Sequence, residues 1–360
     1  MIVLPYFLNS TAALLVKQQI NAKFGDKLKT GSVRVSFFTG AVVQINQISL
    51  AQAPGFGKGN LLKARGLNLR VALIPLFRKQ LEIEKIYVIQ PRLEIIQYQN
   101  GDTNLDYYLN RFSRNTSLIN AYEAGPPIRL KRFNLVNSKI ILKSYAISRN
   151  HQPTLIFNRA NLILKNLVLP NPDKMATDFS GSALVGLGQP AQVSFYGTGL
   201  FGGDKVSFSA KSRITGLILA DYAYLVPGSK ATVKSGIATI SSDMNCHNDY
   251  LNSYHHIVIK RLQLTPKYSR TFHGTLSGVP ANLLVKEIQD GHGRLKFDFT
   301  LSSRLTDLRA NSKYRIIQSV TRSLRDTIEL KQSGNPASSG AKKVSTKFID
   351  ALKKFFSHRN

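Results

Sequence analysis

Residues 61–95 read LLKARGLNLRVALIPLFRKQLEIEKIYVIQPRLEI, and the spacing of their apolar side chains decides the fold class. Leu67, Leu69, Val71 and Leu73 alternate with Asn68, Arg70 and Ala72. Leu81 and Ile83, then Ile86 and Val88, then Leu93 and Ile95 keep close to the same rhythm, with Pro91 marking a break. Successive side chains of a strand point to opposite faces, so a period of two gives each segment one dry and one wet face.

The pattern extends in both directions. Upstream, Val33, Val35 and Phe37 alternate with Ser32, Arg34 and Ser36. Downstream come Ile140 and Leu142, then Leu162, Leu164, Leu167 and Leu169. Near the end, Leu295, Phe297, Phe299 and Leu301 alternate with Lys296, Asp298 and Thr300. Strand-like runs cover 128–145, 154–169, 179–187, 191–200, 205–213, 231–242, 254–265 and 293–302. No ten-residue helical pattern separates successive strands, which argues against βαβ units and a nucleotide-binding parallel sheet. Helices are predicted over about 11–24 (capped by Asn9 or Ser10, closed by Gly25), 105–112, 217–226, 280–289 behind Pro280, and 311–328. The expectation is a mainly β chain with a few short helices.

The 360 residues carry 49 Lys+Arg against 20 Asp+Glu, a net charge of +29, with 43% hydrophobic and 19% charged residues. That composition is globular and excludes a mostly disordered polybasic chain. Residues 301–360 hold 13 basic and 4 acidic side chains (+9), leaving 36 and 16 (+20) for residues 1–300. Nucleic-acid phosphates and anionic lipid headgroups both fit such a balance. The single cysteine, Cys246, excludes an intramolecular disulfide framework and a multi-cysteine metal site.

Residues 2–16, IVLPYFLNSTAALLV, are apolar but shorter than the ~20 residues of a spanning helix. Pro5 and Asn9-Ser10-Thr11 interrupt them, and no basic stretch of the signal-peptide kind precedes them. At the other end, 332–341 (QSGNPASSGA) has linker composition. Beyond it Val344, Phe348, Leu352 and Phe355 recur at helical spacing, flanked by Ile349 and Phe356. Lys342, Lys343, Lys347, Lys353 and Lys354 supply charge. A basic helix with aromatic residues on its apolar side suits a lipid interface, and Lys347, Phe348, Leu352, Lys353, Lys354, Phe355 and Phe356 are the candidate membrane contacts. Docking on its own protein fits the same pattern.

Catalytic chemistry finds little support. Residues 245–256, NCHNDYLNSYHH, hold Cys246, His247, Asp249, His255 and His256, but neither C-x2-C nor H-x3–5-H spacing occurs. A polar loop explains them more simply than a metal or nucleophile. Residues 54–60, PGFGKGN, lack P-loop spacing and read as a turn. Glu82 and Glu84 share a strand face near Lys85 and Arg92, an ordinary ion-pair setting. The expectation is a non-enzymatic chain with no cofactor and no metal. Basic residues beside aromatic ones would also suit single-stranded nucleic acid, but no RNP-like, KH, zinc-finger or helix-turn-helix signature is present, so this reading stands second.

The stretch from Pro5 to Asn104 resembles the N-terminal module of the AsmA-like envelope proteins, the wider group that includes TamB. The carriers are the PYFLNS end of a membrane segment, GSVRVSFFTGAVVQINQISLAQAPGFG, residues 61–95 and NGDTNLDYYL. KVSFSAKSRITGLILADYAYLVPGSKATVKSGIATISSDM and VPANLLVKEIQDGHGRLKFDFTLSSRLTDL resemble a second β-rich region of AsmA-related proteins. The resemblance implies a membrane-proximal helix over 1–25 as the remnant of an anchor: either the true start lies upstream of Met1, or this member has lost its anchor and leans on the basic C-terminal helix. An AsmA-like module over 26–127, a second β-rich region over 128–330, a linker over 331–341 and the basic helix over 342–360 follow. It further implies a long, twisted, taco-like sheet with an apolar groove, held at the inner membrane of a Gram-negative bacterium and facing the periplasm. Its partner would be phospholipid or an anionic membrane surface, in lipid transport or outer-membrane biogenesis. Val33, Val35, Phe37, Leu67, Leu69, Val71 and Leu73 are the candidate groove residues.

Overall fold

The computed structural model describes residues 11–18, 20, 25–37, 40–77, 80–98, 102–108, 128–144, 154–171, 173–186, 188–203, 205–225, 231–266, 275–276, 279–280, 289–307 and 319. The chain is mainly β. Its strands are β1 (Leu28–Lys29), β2 (Val33–Ser36), β3 (Ala41–Ala51), β4 (Asn60–Val71), β5 (Glu82–Ile89), β6 (Arg92–Gln97), β7 (Ile128–Ser144) and β8 (Thr154–Leu169). Then come β9 (Thr177–Val185), β10 (Ala191–Leu200), β11 (Ser207–Ile218), β12 (Ala231–His247), β13 (Tyr250–Pro266), β14 (Thr275–Leu276), β15 (Val279–Pro280) and β16 (Arg294–Arg304).

The helices are short. Residues 11–18 and 20 are helical, within the predicted 11–24. Residues 104–108 are helical, starting one residue before the predicted 105–112, of which 109–112 lie outside the described residues. The helix predicted at 217–226 is the tighter 3-10 helix Leu219–Leu225, because β11 runs on to Ile218. Pro280, expected to open a helix, instead ends β15, whose two residues pair with β14. The rest of the 280–289 helix up to 288, the linker and the basic helix at 342–360 lie outside the described residues, as does the 311–328 helix apart from the helical Ser319. Among the described residues no helix is long and apolar enough to cross a membrane.

The chain divides into two compact units. One comprises residues up to Val185 with Ser194–Ser209; the other comprises Gly186–Val193 and the residues from Ala210 onward. In the first, the strand order is β1-β3-β4-β5-β7-β8-β9, with β2 also on β3 and β6 bridging β4 and β7. β5 and β6 share one slot, since the break at Pro91 interrupts a single path: Gln90 takes φ 49° there. Both run parallel to β7, and the other pairs from β1 to β9 are antiparallel. A core of Leu50, Ala53, Leu61 and Tyr108, with Leu28, Phe56, Leu62, Leu93, Leu105 and Tyr107 packed on it, closes one region of this sheet.

The second unit is built on β12, β13 and β16, all antiparallel. Along β16 burial alternates strictly: Leu295, Phe297, Phe299 and Leu301 are buried, and Lys296, Asp298, Thr300 and Ser302 are exposed. Asp290 sets the entry to this strand. Its Oδ1 accepts the backbone N–H of His292 (2.9 Å) and Arg294 (3.0 Å), and its Oδ2 receives Arg294 Nε (3.0 Å) and Lys296 Nζ (3.1 Å). Desolvation pushes the carboxyl upward, but these donated bonds outweigh it and hold it well below the usual carboxylate range.

Candidate functional site

Register turns the period-two pattern into a surface. Val33 of β2 faces Ile45 of β3, which faces Leu67 of β4, then Val88, Leu135, Leu162 and Gly181 on β5, β7, β8 and β9. Two residues along, Val35, Val43, Leu69, Ile86, Phe133, Leu164 and Phe179 form a second row. Directly opposed residues share a face, so two apolar rows cross seven strands side by side. Val35 and Ile45 are buried at 7% and 6% exposure; the other side chains of these rows are half-buried. The face continues into a cluster in which Phe179 lies 6.5 Å from Phe195, 6.1 Å from Phe201 and 6.5 Å from Phe208, centroid to centroid. Gly181 is small of necessity: a Cβ there would overlap the Phe195 ring and crowd the Asn161 carbonyl.

Five of the seven candidate groove residues therefore meet on this face or its continuation: Val33, Val35, Leu67, Leu69 and Val71, the last opposite Ala41 and Ile83. Two do not. Phe37 lies past the last residue of β2 and is 43% exposed. Leu73 is not on a strand, because β4 ends at Val71 and Leu73–Phe77 forms one helical turn that tolerates Pro75. Val43, Ile45, Phe133, Leu135 and Phe179 were missed as partners. Their own alternation was visible, but pairing across the sheet was not.

The reverse face is polar. Arg34, Gln44, Asn68, Tyr87 and Asn134 are opposed in one row. Glu82 and Glu84 do serve ion pairs, with Lys131 (2.6 Å) and Arg70 (3.9 Å) rather than the predicted Lys85 and Arg92. The bond to Glu82 raises the Lys131 pKa.

The turn at NGDTNLD is a structural anchor. Asn104 has no exposed surface. Its Nδ2 donates to Gln52 Oε1 (2.8 Å) and the Glu94 carbonyl (2.7 Å), while its Oδ1 accepts the Ile96 N–H (3.0 Å). Asp106 Oδ2 accepts the Thr103 N–H (2.8 Å) and the Thr103 hydroxyl (2.8 Å), and Thr103 Oγ1 accepts the Asp106 N–H (3.3 Å), a reciprocal cap on the short helix that carries Tyr108 into the core. In the turn predicted at 54–60, whose last residue opens β4, Gly55, Gly57 and Gly59 take φ of 85°, 86° and 132°, which only glycine adopts freely. Phe56 stacks on Tyr98 (4.5 Å), whose hydroxyl donates to the Gly55 carbonyl.

The model of the AsmA family matches residues 12–212, more than half of the chain and all of the strands that form the apolar face. The chain belongs to the AsmA family. This membership associates the AsmA-family chain with the bacterial cell envelope. No curated protein matches it.

The Cys/His segment lies outside the region matched to AsmA, and its predicted polar loop is corrected. It is a β-hairpin in which β12 runs to His247 and β13 starts at Tyr250, around Asn248 and Asp249 at φ 49° and 66°. Two consecutive residues at positive φ make the tight turn that matches strand twist. His255 and His256 fall on opposite faces, as adjacent strand residues must. His256 pairs with Asp298 on the exposed side. His255 stacks on Phe299 (4.5 Å) between Ser242 Oγ, 2.7 Å from Nδ1, and Ser253 Oγ, 2.8 Å from Nε2. Ser253 gives its proton to the Leu301 carbonyl (3.3 Å), so Nε2 donates to Ser253 and Nδ1 accepts from Ser242. Burial lowers the His255 pKa and favours this neutral form. Burial likewise raises the thiol of Cys246, with Asp249 adding to it, which opposes the thiolate a nucleophile needs. The candidate membrane contacts at 347–356 lie outside the described residues.

Proposed function

We propose that this AsmA-family protein is a non-enzymatic carrier that receives phospholipid acyl chains along the apolar face of its first unit. On this reading it serves lipid transport or outer-membrane biogenesis from the periplasmic side of the inner membrane. One observation carries the proposal. Two continuous rows of aliphatic and aromatic side chains cross seven strands, and most of them remain half-buried. A sheet face that is apolar yet incompletely closed offers hydrocarbon a dry surface. Residues 342–360 would add a membrane contact through Phe348, Leu352, Phe355 and Phe356 with their lysines.

Mass spectrometry of organic extracts from gently purified protein tests this. Stoichiometric phospholipid is expected in the full chain and in a chain ending at residue 340, and loss of that lipid in Leu69→Asp/Ile86→Asp. Lipid only in the full chain would confine the function to the terminal helix. Absence from both would overturn the carrier reading.

A further inference from the structure

Behind the core of the first unit runs a row of cations. In the register of β1, β3, β4, β6 and β7, Lys29 opposes Ser49, Ser49 opposes Lys63, Lys63 opposes Arg92 and Arg92 opposes Lys139. The adjacent row, one residue along each strand, is Leu28, Leu50, Leu62, Leu93 and Ile140, all apolar. Neighbouring strands lie ~4.8 Å apart, so the cationic row spans roughly 19 Å of a sheet held from behind by packed side chains.

Like charges directly opposite one another destabilise a sheet. Elsewhere in this unit the chain supplies acids to its cations: Lys131 has Glu82, Arg70 has Glu84 and Arg129 has Asp173. The acid nearest in sequence on this side, Glu94, is bonded to Lys143 at 2.6 Å. Among the described residues no ion pair joins Lys29, Lys63, Arg92 or Lys139 to a carboxylate. Lys29, Lys63 and Arg92 are exposed and Lys139 is half-buried.

We propose that this row docks the first unit on the surface of an anionic lipid bilayer. Four cations in line across a sheet present a broad array rather than a pocket, which fits many phosphates on a plane. The row has no aromatic side chain, whereas single-stranded nucleic acid is bound through stacking platforms beside its cations. The proposal rests on the envelope association and deepens the membrane side of the proposed function. It does not require that the apolar face carry lipid.

Co-sedimentation of the full chain with phosphatidylcholine vesicles, with and without phosphatidylglycerol, tests it. Each cation near an anionic surface contributes roughly fivefold to partitioning, so Lys63→Gln/Arg92→Gln should lower phosphatidylglycerol-dependent binding about 25-fold. A control with the same charge change at two exposed lysines, Lys205→Gln/Lys260→Gln, should lose far less. Because the first pair relieves repulsion, its thermal midpoint should hold or rise. Equal loss in both variants, or none in the first, would overturn the proposal. So would wild-type binding to a single-stranded oligonucleotide but not to vesicles. Co-purified phospholipid should be unchanged in Lys63→Gln/Arg92→Gln. Its absence from wild type, with the vesicle result intact, would remove the carrier reading and leave the docking row standing.

Discussion

The two units use the same strand alternation to opposite ends. In the second, Leu295, Phe297, Phe299 and Leu301 are at most 9% exposed, opposite Ile259, Ile257, His255 and Ser253 on β13. In the first, Leu67, Leu69, Ile86, Val88, Phe133 and Leu135 have the same spacing and wholly apolar cross-strand partners, yet stay half-buried. An alternating sequence specifies which side of a strand is apolar, and nothing in it specifies how completely that side is covered. The closed face admits a ring with two polar nitrogens, and His255 is held there between two serine hydroxyls. The half-open face is nearly pure hydrocarbon.

The largest expected effect tests that contrast directly. Phe297→Ala should cost about 3–5 kcal/mol in urea unfolding, the range for emptying a closed aromatic site, and Leu69→Ala only about 1–2 kcal/mol. Equal costs would mean the two faces are equally closed. Next comes the anchor at which the first unit is as tightly made as the second. Asn104→Ala strands the Ile96 N–H, the Glu94 carbonyl and Gln52, and should cost about 3 kcal/mol with loss of protection at Ile96 in hydrogen exchange.

A smaller effect separates the units by pH. The folded state holds His255 neutral, with its pKa lowered by burial, so its contribution to stability is present above the unfolded value of about 6.5 and is lost as pH falls through the folded value. Unfolding of wild type followed from pH 7.5 to 5 should show this loss, and His255→Gln should flatten it; the same slope in both would place the sensitivity elsewhere. The smallest change concerns the hairpin turn. Asp249 at φ 66° is strained relative to glycine, so Asp249→Gly should raise stability by about 0.5–1 kcal/mol without altering the register from Cys246 to Leu251.

The mainly β class, the break at Pro91, the turn at 54–60 and the wet and dry residues of β16 were legible in the sequence, because each depends on near neighbours. Leu164 and Leu167 show where that legibility stops. Their three-residue spacing breaks the period, and the structure places Asn166 in the step at φ 60°. A similar irregularity, a register shift between β7 and β8, places Asn137 at φ 51° and Arg159 at φ 48°, and there Asn161 takes the Asn137 N–H (3.0 Å) and gives a bond to the Arg159 carbonyl (2.9 Å). Such residues are ordinary polar letters in the sequence.

By itself the sequence determined that these strands have apolar faces, that no multi-cysteine chemistry exists and that the chain carries a large positive charge. Tertiary structure alone decided that Val33, Ile45, Leu67, Val88, Leu135 and Leu162 stand in one line, that Leu73 leaves it, and that Lys29, Lys63, Arg92 and Lys139 share another. The physical reason is register. Alternation is a property of one strand and repeats every two residues, whereas the partners in these lines lie 12–47 positions apart and are chosen by the pairing of whole strands.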